Sequence, residues 1–451
     1  MKASILLRIA LLFGVSLRLE AGLEQVPLPE HSLPGLESLL EHAVQQSPRM
    51  LNQALNLEIA ENDRIQARAN LLPSVGGTYR DNQARDQRAD QSGTLNVRKV
   101  YYDLSINQTI FSWGERGSYA RMGEIRQKII QTQYQEAYRI LAQEIRARYL
   151  TLITQKINLE RTRFNNKLVQ EQLRLAEDKL VKKQFSDLDM FAPRLNAERS
   201  LIDLERNEFD FNNARLSLAR LAGVPDLSDE SIPEDVPVPA RYDAVVFNQL
   251  VGDYRQQKDL PTPEAKLMLR QLDLDQLDYK VASVRLRPKL SFNAGLTQDE
   301  QAYSLNVAQK YQVNSKYAGI AVSWSIFDSF SSAAATRTAL ARRRQHQNDY
   351  LEMHARLLQQ AEMQNRMLYF SARNLSIQER FLDSAYGNLR TKQEEFKRGL
   401  ISETDIGQVQ LYLYDTRIGT SSARADYYQK VVELLGTLNN DPAIAYAPIK
   451  P

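Results

Sequence analysis

With 451 residues the chain is long enough for two or three ordinary domains, and 58 basic against 55 acidic residues leave a net charge of only +3, without the basic surplus that nucleic-acid binding requires. It contains no cysteine, which excludes disulfides, thiolate metal sites, cysteine nucleophiles and lipid attachment at a mature N-terminal cysteine. Mean hydropathy is −0.47 and no uncharged apolar run approaches the ~20 residues of a spanning helix; an α-helical membrane protein is ruled out, whereas a β-barrel, whose lipid-facing signal is spread over alternate residues, is not.

Residues 1–21 read as an export signal. Lys2 and Arg8 supply positive charge and Ile9 to Leu17 a short apolar core, while Arg18 and Glu20 ahead of Ala21 leave the cleavage region imperfect. The competing reading is a buried N-terminal helix. It is disfavoured because the stretch has no polar-face periodicity and runs into Pro27, Pro29 and Pro34. An exported, non-lipidated, cysteine-free chain points to a Gram-negative envelope.

Residues 32–71 follow as a helix. Leu36, Leu39, Leu40, Ala43 and Val44 form its first stripe, Ser47-Pro48 interrupts it, and Pro73, lacking an N–H, stops it. Period-two segments come next. Val100, Tyr102, Leu104, Ile106 and Ile110 share one face, against Tyr101, Asp103, Ser105, Asn107 and Thr109 on the other. With the weaker alternation from Val75 to Tyr79, this predicts a hairpin over about residues 74–111. A second hairpin is expected over about residues 289–327, where Leu290, Phe292, Ala294 and Leu296 alternate with polar or small residues. Its return strand sets Ala318, Ile320, Val322, Trp324 and Ile326 against Tyr317, Gly319, Ser323 and Ser325.

Each strand has about the ~9–11 residues of a tilted transmembrane strand. The long polar loops at residues 81–96 and 298–314 suit the outside of a barrel, and Tyr101, Tyr102, Trp113, Tyr317 and Trp324 fall where interfacial aromatics are expected. Leu104, Ile106, Val322 and Trp324 are the expected lipid-facing positions. A soluble sandwich is the ordinary reading of such alternation, but four strands are too few for its core and no second sheet is on offer. Four strands also cannot close a barrel. Open edges in lipid leave N–H and C=O groups unsatisfied, so other protomers must complete the sheet.

After each hairpin comes a helical tract of unusual length, residues 116–222 and 333–439, interrupted near residues 183–186 and 399–402. About 65 residues at 1.5 Å rise make a helix of roughly 100 Å. Its stripe of Leu150, Ile153, Ile157, Phe164, Leu168 and Leu175 is thin, as in a coiled coil with water on a wide face. Residues 224–262 read as a proline-rich connector with a short helix near residues 242–254, and residues 441–451 as an irregular tail.

The chain therefore says nearly the same thing twice. Pro73 answers Pro288 at a shift of 288 − 73 = 215, and Ser47-Pro48 answers Thr262-Pro263 at the same shift. Ile110-Phe111 answers Ile326-Phe327, and Ser186-x-x-Asp189 answers Ser402-x-x-Asp405, both at 216. Two structural repeats are expected, residues 22–223 and 263–440, each a helix, a strand pair and two long helices.

In this order and duplication the chain resembles the TolC-like outer-membrane efflux proteins, over about residues 35–440. The resemblance rests on Ala43-Val44-x-x-Ser47-Pro48, on Ala67-x-Ala69-x-Leu71-Leu72-Pro73-Ser74, on Gln108-x-Ile110-Phe111 and on Phe396-x-x-Gly399-x-x-Ser402-x-x-Asp405. It implies a homotrimer, mainly α, in which each protomer gives four strands to one twelve-stranded barrel in outer-membrane lipid and its long helices to a coiled-coil periplasmic tunnel. It also implies a periplasmic adaptor (membrane fusion protein) and an inner-membrane pump or ABC exporter as partners. By the same resemblance Asp405 matches an aspartate at the periplasmic entrance constriction, with Asp189 at the equivalent place in the first copy. Two departures stand out: Gln408 takes the place of a second aspartate, and Ile401 that of a basic residue. Both aspartates also have helix-capping spacing, with Ser186 and Ser402 as caps, and the two roles are compatible. Pro193 predicts a kink or a delayed helix start after the first break.

Nothing reads as catalytic, and neither a cofactor nor a metal is implied. His346 and His354, two turns apart, are too distant to share a metal and are expected as solvated helix positions. Gly76-Gly77 opens a strand and is not a phosphate loop. The favoured function is a passive exit duct for a tripartite efflux or type I secretion system. The alternative is a soluble periplasmic coiled-coil scaffold or adaptor, which would need no lipid-facing stripe.

Overall fold

A computed structural model describes residues 28–87, 93–302 and 310–443. The export signal, the middle of each long hairpin loop and most of the tail lie outside the described residues. In chain order the elements are α1 (Pro29–Ser32), α2 (Pro34–Gln46), α3 (Pro48–Ala69), β1 (Ser74–Gln87), β2 (Thr94–Phe111), α4 (Glu115–Val181) and α5 (Phe191–Ala222). A 3-10 turn at Asp229–Ser231 leads to α6 (Ala244–Gln256), α7 (Pro263–Ser283), β3 (Lys289–Ala302), β4 (Lys310–Ser323), α8 (Ser331–Lys397) and α9 (Glu403–Thr437).

Proline sets the helix starts. Pro29, Pro34, Pro48 and Pro263 each occupy the first helical position, where the missing N–H is no loss. Both α4 and α8 run for 67 residues. They end alike: Lys183 and Gly399, 216 apart, take left-handed φ of 57° and 71°, and the next amides reach back to Lys179 O and Glu395 O. The second break is short, as the sequence predicts. The first is longer, because α5 starts only at Phe191. Pro193 has no N–H to give and its ring would clash with the carbonyl four residues back, so it is tolerated only in the first turn.

The chain divides into two compact units, and each takes segments from both sequence copies. Among the described residues, one comprises 28–55, 132–266 and 353–443, the other 56–87, 93–131, 267–302 and 310–352. In the first, Tyr138, Leu141, Ile145, Leu150, Ile153 and Ile157 of α4 are buried, as are Leu36, Leu39 and Leu40 of α2 and Tyr428, Val431 and Leu435 of α9. Gly223, in the left-handed region, closes α5; a side chain there would collide with the Gln46 carbonyl, so the glycine lets α5 end against the α2–α3 junction. Within this core Arg146 is buried and donates to Glu30 of α1 and, at 2.8 Å, to Asp441 beyond α9.

The second unit carries the sheet, antiparallel throughout and ordered β1-β2-β3-β4. Its register sorts the side chains cleanly. One face carries Val75, Tyr79, Tyr102, Leu104, Ile106, Leu290, Phe292, Ala294, Leu296, Ala318, Ile320 and Val322; the other carries Ser74, Thr78, Asp103, Ser105, Asn107, Ser291, Asn293, Thr297 and Ser323. Four expectations change here. The strands run on to Gln87 and Ala302 and begin again at Thr94 and Lys310, so much of the stretches read as loops at 81–96 and 298–314 is strand, because the ladder continues through polar pairs. Tyr101 and Tyr317 keep the polar face that alternation gives them, which takes them out of an aromatic belt on the apolar side; there Arg80 stacks on Tyr101 and the Tyr317 ring covers Gly295. A bulge between Thr109 and Phe111 puts Phe111, rather than Ile110, opposite Leu290 on the apolar face. Finally, β4 ends at Ser323, so Trp324 and Ile326 lie beyond the strand. The next partner on β3 would be Pro288, which has no N–H to continue the ladder.

Candidate functional site: the apolar sheet face and the two helix breaks

Two features gather the singled-out residues. The first is the sheet. Its apolar face is open to the outside of the protomer: Tyr79, Ile320 and Val322 are each 68 % exposed, and Leu104 is 47 % exposed. At one end of the strands the same face turns polar, with Asp81 bound by Arg98 at 2.6 Å and Lys316 opposite Leu296. At the other end it meets a collar of Phe111, Trp113, Trp324, Ile326, Phe327 and Phe330, all exposed. The two indoles fasten the segment leading into β3: Trp113 Nε1 donates to Pro288 O at 2.8 Å and Trp324 Nε1 to Leu286 O at 2.9 Å. Arg287 stacks on Trp113 with 4.8 Å to the ring centroid. An apolar band bounded by polar residues above and aromatics below is the pattern expected of the outer surface of a membrane barrel wall. Both β1 and β4 are sheet edges in the protomer.

The second feature is the pair of helix breaks. At the start of α9, Ser402 Oγ accepts from the Asp405 amide at 3.2 Å, while Asp405 Oδ2 accepts from Ser402 N at 2.9 Å and Ser402 Oγ at 2.7 Å. The first break has the same geometry: Asp189 Oδ2 takes Ser186 N at 2.8 Å and Ser186 Oγ at 2.7 Å. The contexts differ, since Ser402 is the N-cap of α9 whereas Ser186 closes a free turn and Met190 precedes α5. In both, hydrogen bonds to the ionised form hold the carboxylate below the usual range: for Asp405 chiefly the Ser402 hydroxyl and then its amide, for Asp189 chiefly the Ser186 amide and then its hydroxyl. Each carboxylate is fully exposed.

Beside the second break, Phe164, Leu168, Leu175, Phe396 and Ile406 line a cavity of about 670 Å³ with Lys167, Arg174, Glu171 and Glu403 at its rim. Leu168 reaches the backbone of α9 only because residue 407 is glycine; a Cβ there would lie 2.8 Å from Leu168 Cδ1. The predicted α4 stripe is thus buried as far as Ile157 and opens into this cavity further on.

His346 differs from expectation: its Nδ1 is hydrogen-bonded to the buried Asp275 of α7 at 2.5 Å, a partner on another helix that spacing along α8 cannot reveal. Among the described residues no cluster of three or more His, Asp or Glu is placed to hold a metal. No described helix is long and apolar enough to cross a membrane.

The family model for outer membrane efflux proteins matches residues 39–224 and 268–440. The chain belongs to that family. It therefore resides in the outer membrane of a Gram-negative-type cell, reaching into the periplasm, and combines a membrane β-barrel portion with coiled-coil helices. Among curated proteins no sequence matches it. Solved channels of the same fold are distant in sequence. The CmeC outer membrane channel of Campylobacter jejuni is 13 % identical with a TM-score of 0.69, covering 90 % of this chain and 86 % of that one. For the outer membrane protein VceC of Vibrio cholerae the identity is 16 % and the TM-score 0.61, covering 89 % and 95 %. The open state of the MtrE outer membrane channel of Neisseria gonorrhoeae gives 14 % and 0.62, covering 90 % and 89 %.

Proposed function

We propose that this efflux-family protein is a passive, homotrimeric exit duct, serving a tripartite efflux or type I secretion system together with a periplasmic adaptor and an inner-membrane pump or ABC exporter. The observation that carries the reading is the four-stranded sheet: apolar on one side, polar on the other and unpaired at both edges. In lipid such edges must be paired, and three protomers of four strands give an even-numbered twelve-stranded barrel. Leu104, Ile106 and Val322, with Trp324 just below β4, would then face lipid, and Ser105, Asn107 and Ser323 the lumen.

A second feature supports self-association. α5 leaves Ile202, Phe209 and Leu216 exposed at intervals of seven, and α8 leaves Met363, Met367, Phe370, Ile377 and Phe381 exposed at heptad spacing. These are two seams without a partner, and α5 of one copy against α8 of the next would bury both. At the breaks, Asp405 and Asp189 would bring carboxylates around the axis at the entrance, concentrating cations and discouraging anions.

Purified protein in planar bilayers tests the reading. The expected result is a channel of trimer mass that is cation-selective, with selectivity reduced in Asp405→Asn, which keeps an acceptor for the cap. A monodisperse monomer without conductance would overturn the duct. Unchanged selectivity would reduce Asp405 to a cap alone. Phe209→Lys and Phe370→Glu should each impair trimerisation and restore it when combined.

A further inference from the structure

The two sequence copies differ where their long helices begin, and the difference leaves one of them short of a negative charge. Both helices follow the same tight turn, with two consecutive residues in the left-handed region: Trp113 and Gly114 before α4, and Ser329 and Phe330 before α8. In the second copy the turn is preceded by Asp328, whose carboxylate accepts the Ser332 amide at 2.9 Å and the Ser332 hydroxyl. The position 216 residues earlier is Ser112. Its hydroxyl is 3.5 Å from the Arg116 amide, at the limit of a hydrogen bond. Arg116 itself stands where the second copy has Ser332. The first copy thus carries its carboxylate at Glu115, where the second has Ser331, and adds a cation.

That place is a cavity of about 280 Å³ lined by Asn70, Thr109, Ser112, Glu115, Arg116, Tyr119 and Lys289. No aliphatic side chain lines it. Arg116 Nη1 is buried without a hydrogen-bond partner. Lys289 is held at 2.5 Å by Glu115, so the lining carries two cations against one carboxylate. Thr109 and Lys289 pair with Ser291 and Ser323 on the polar side of the sheet, which puts the cavity on the face away from the apolar band. A buried, unpaired guanidinium N–H is costly unless something accepts from it. Planar forks of this kind match the oxygens of phosphate or carboxylate.

We propose that this cavity binds one phosphate-sized oxyanion per protomer, which takes the place that Asp328 fills in the second copy. Arg116 Nη1 and Lys289 Nζ supply the charge, with the Ser112 hydroxyl and the Arg116 amide as neutral donors. The anion is a free solute that reaches the cavity from the polar side of the sheet.

Titration calorimetry on the detergent-solubilised full-length protein tests this at constant ionic strength. The probe is inorganic phosphate, and saturable binding is expected. Arg116→Gln should weaken binding at least tenfold. Ser112→Asp, which supplies the missing carboxylate internally, should abolish binding and raise the unfolding temperature without ligand, so a correctly folded variant reports the effect. The proposal is overturned if wild-type protein does not bind phosphate saturably, or if Ser112→Asp binds as tightly as wild type.

Discussion

Leu104→Arg tests most directly which side of the sheet meets lipid. Leu104 lies opposite Gly77 of β1 and Leu296 of β3, on an inner strand and away from either open edge. On β2 the apolar face runs from Val100 to Phe111, about 37 Å at ~3.4 Å per residue, or about 28 Å of height at a ~40° tilt. A barrel's apolar band is ~25 Å tall, so Leu104 sits close to the midplane. An arginine there costs about 2–4 kcal/mol per protomer, against ~0–1 near an interface. Asn107, three residues along the same strand, lies on the polar face, and Asn107→Arg should cost little. At ~1.4 kcal/mol per factor of ten, the two variants should differ roughly 30- to 900-fold in folding equilibrium. Denaturant unfolding from lipid vesicles, followed by tryptophan fluorescence, measures this, and the yield of heat-sensitive, SDS-resistant oligomer provides an independent check. Equal losses in the two variants would refute the assignment of this face to lipid.

Three further outcomes follow from other parts of the chain. The Asp405 carboxylate, held below its ordinary range by Ser402, stabilises the start of α9 above that range, and the stabilisation is lost as pH falls through the lowered value; amide exchange at Asp405 and Ile406 should report this acid loosening, and Asp405→Asn should remove its pH dependence. Arg146→Met leaves Glu30 and Asp441 buried without their cation and should cost about 3–5 kcal/mol in denaturant, whereas replacing all three by apolar residues should recover most of the loss. Lys183→Gly places at the first break the residue that the second break already has, and relief of the left-handed strain should add about 1 kcal/mol to the end of α4, measured by exchange at residues 179–183.

Much of this fold is legible in local signals. Alternation gave the strand faces, prolines gave the helix starts, and Gly399 with Ser402 gave the second break. What escaped depends on residues that meet across long sequence separations. The pairing of β2 with β3, which joins two hairpins into one sheet, has no local mark. Parity fails at Ile110 because a bulge adds one residue, and at Trp324 because a proline on the neighbouring strand ends the ladder. The partner of His346 sits on α7, and the carboxylates around Arg146 come from opposite ends of the chain. The capping spacing at Ser186 and Ser402 was readable, but only Pro193 decides that the first of these turns does not itself begin a helix.

The Arg146 cluster also bears on how far the duplication can still behave as one. Glu30 and Arg146 belong to the first copy and Asp441 follows the second, while the position 216 residues after Arg146 is Glu362, an acid. The knot is therefore tied once and not twice. Two first halves would leave each Arg146 with Glu30 and no Asp441, and two second halves would have no arginine at this place. Either half alone therefore lacks part of the cluster, and a chain stopped short of residue 441 leaves a guanidinium facing a single carboxylate in its core. What began as a repetition has become a sentence with a required last word.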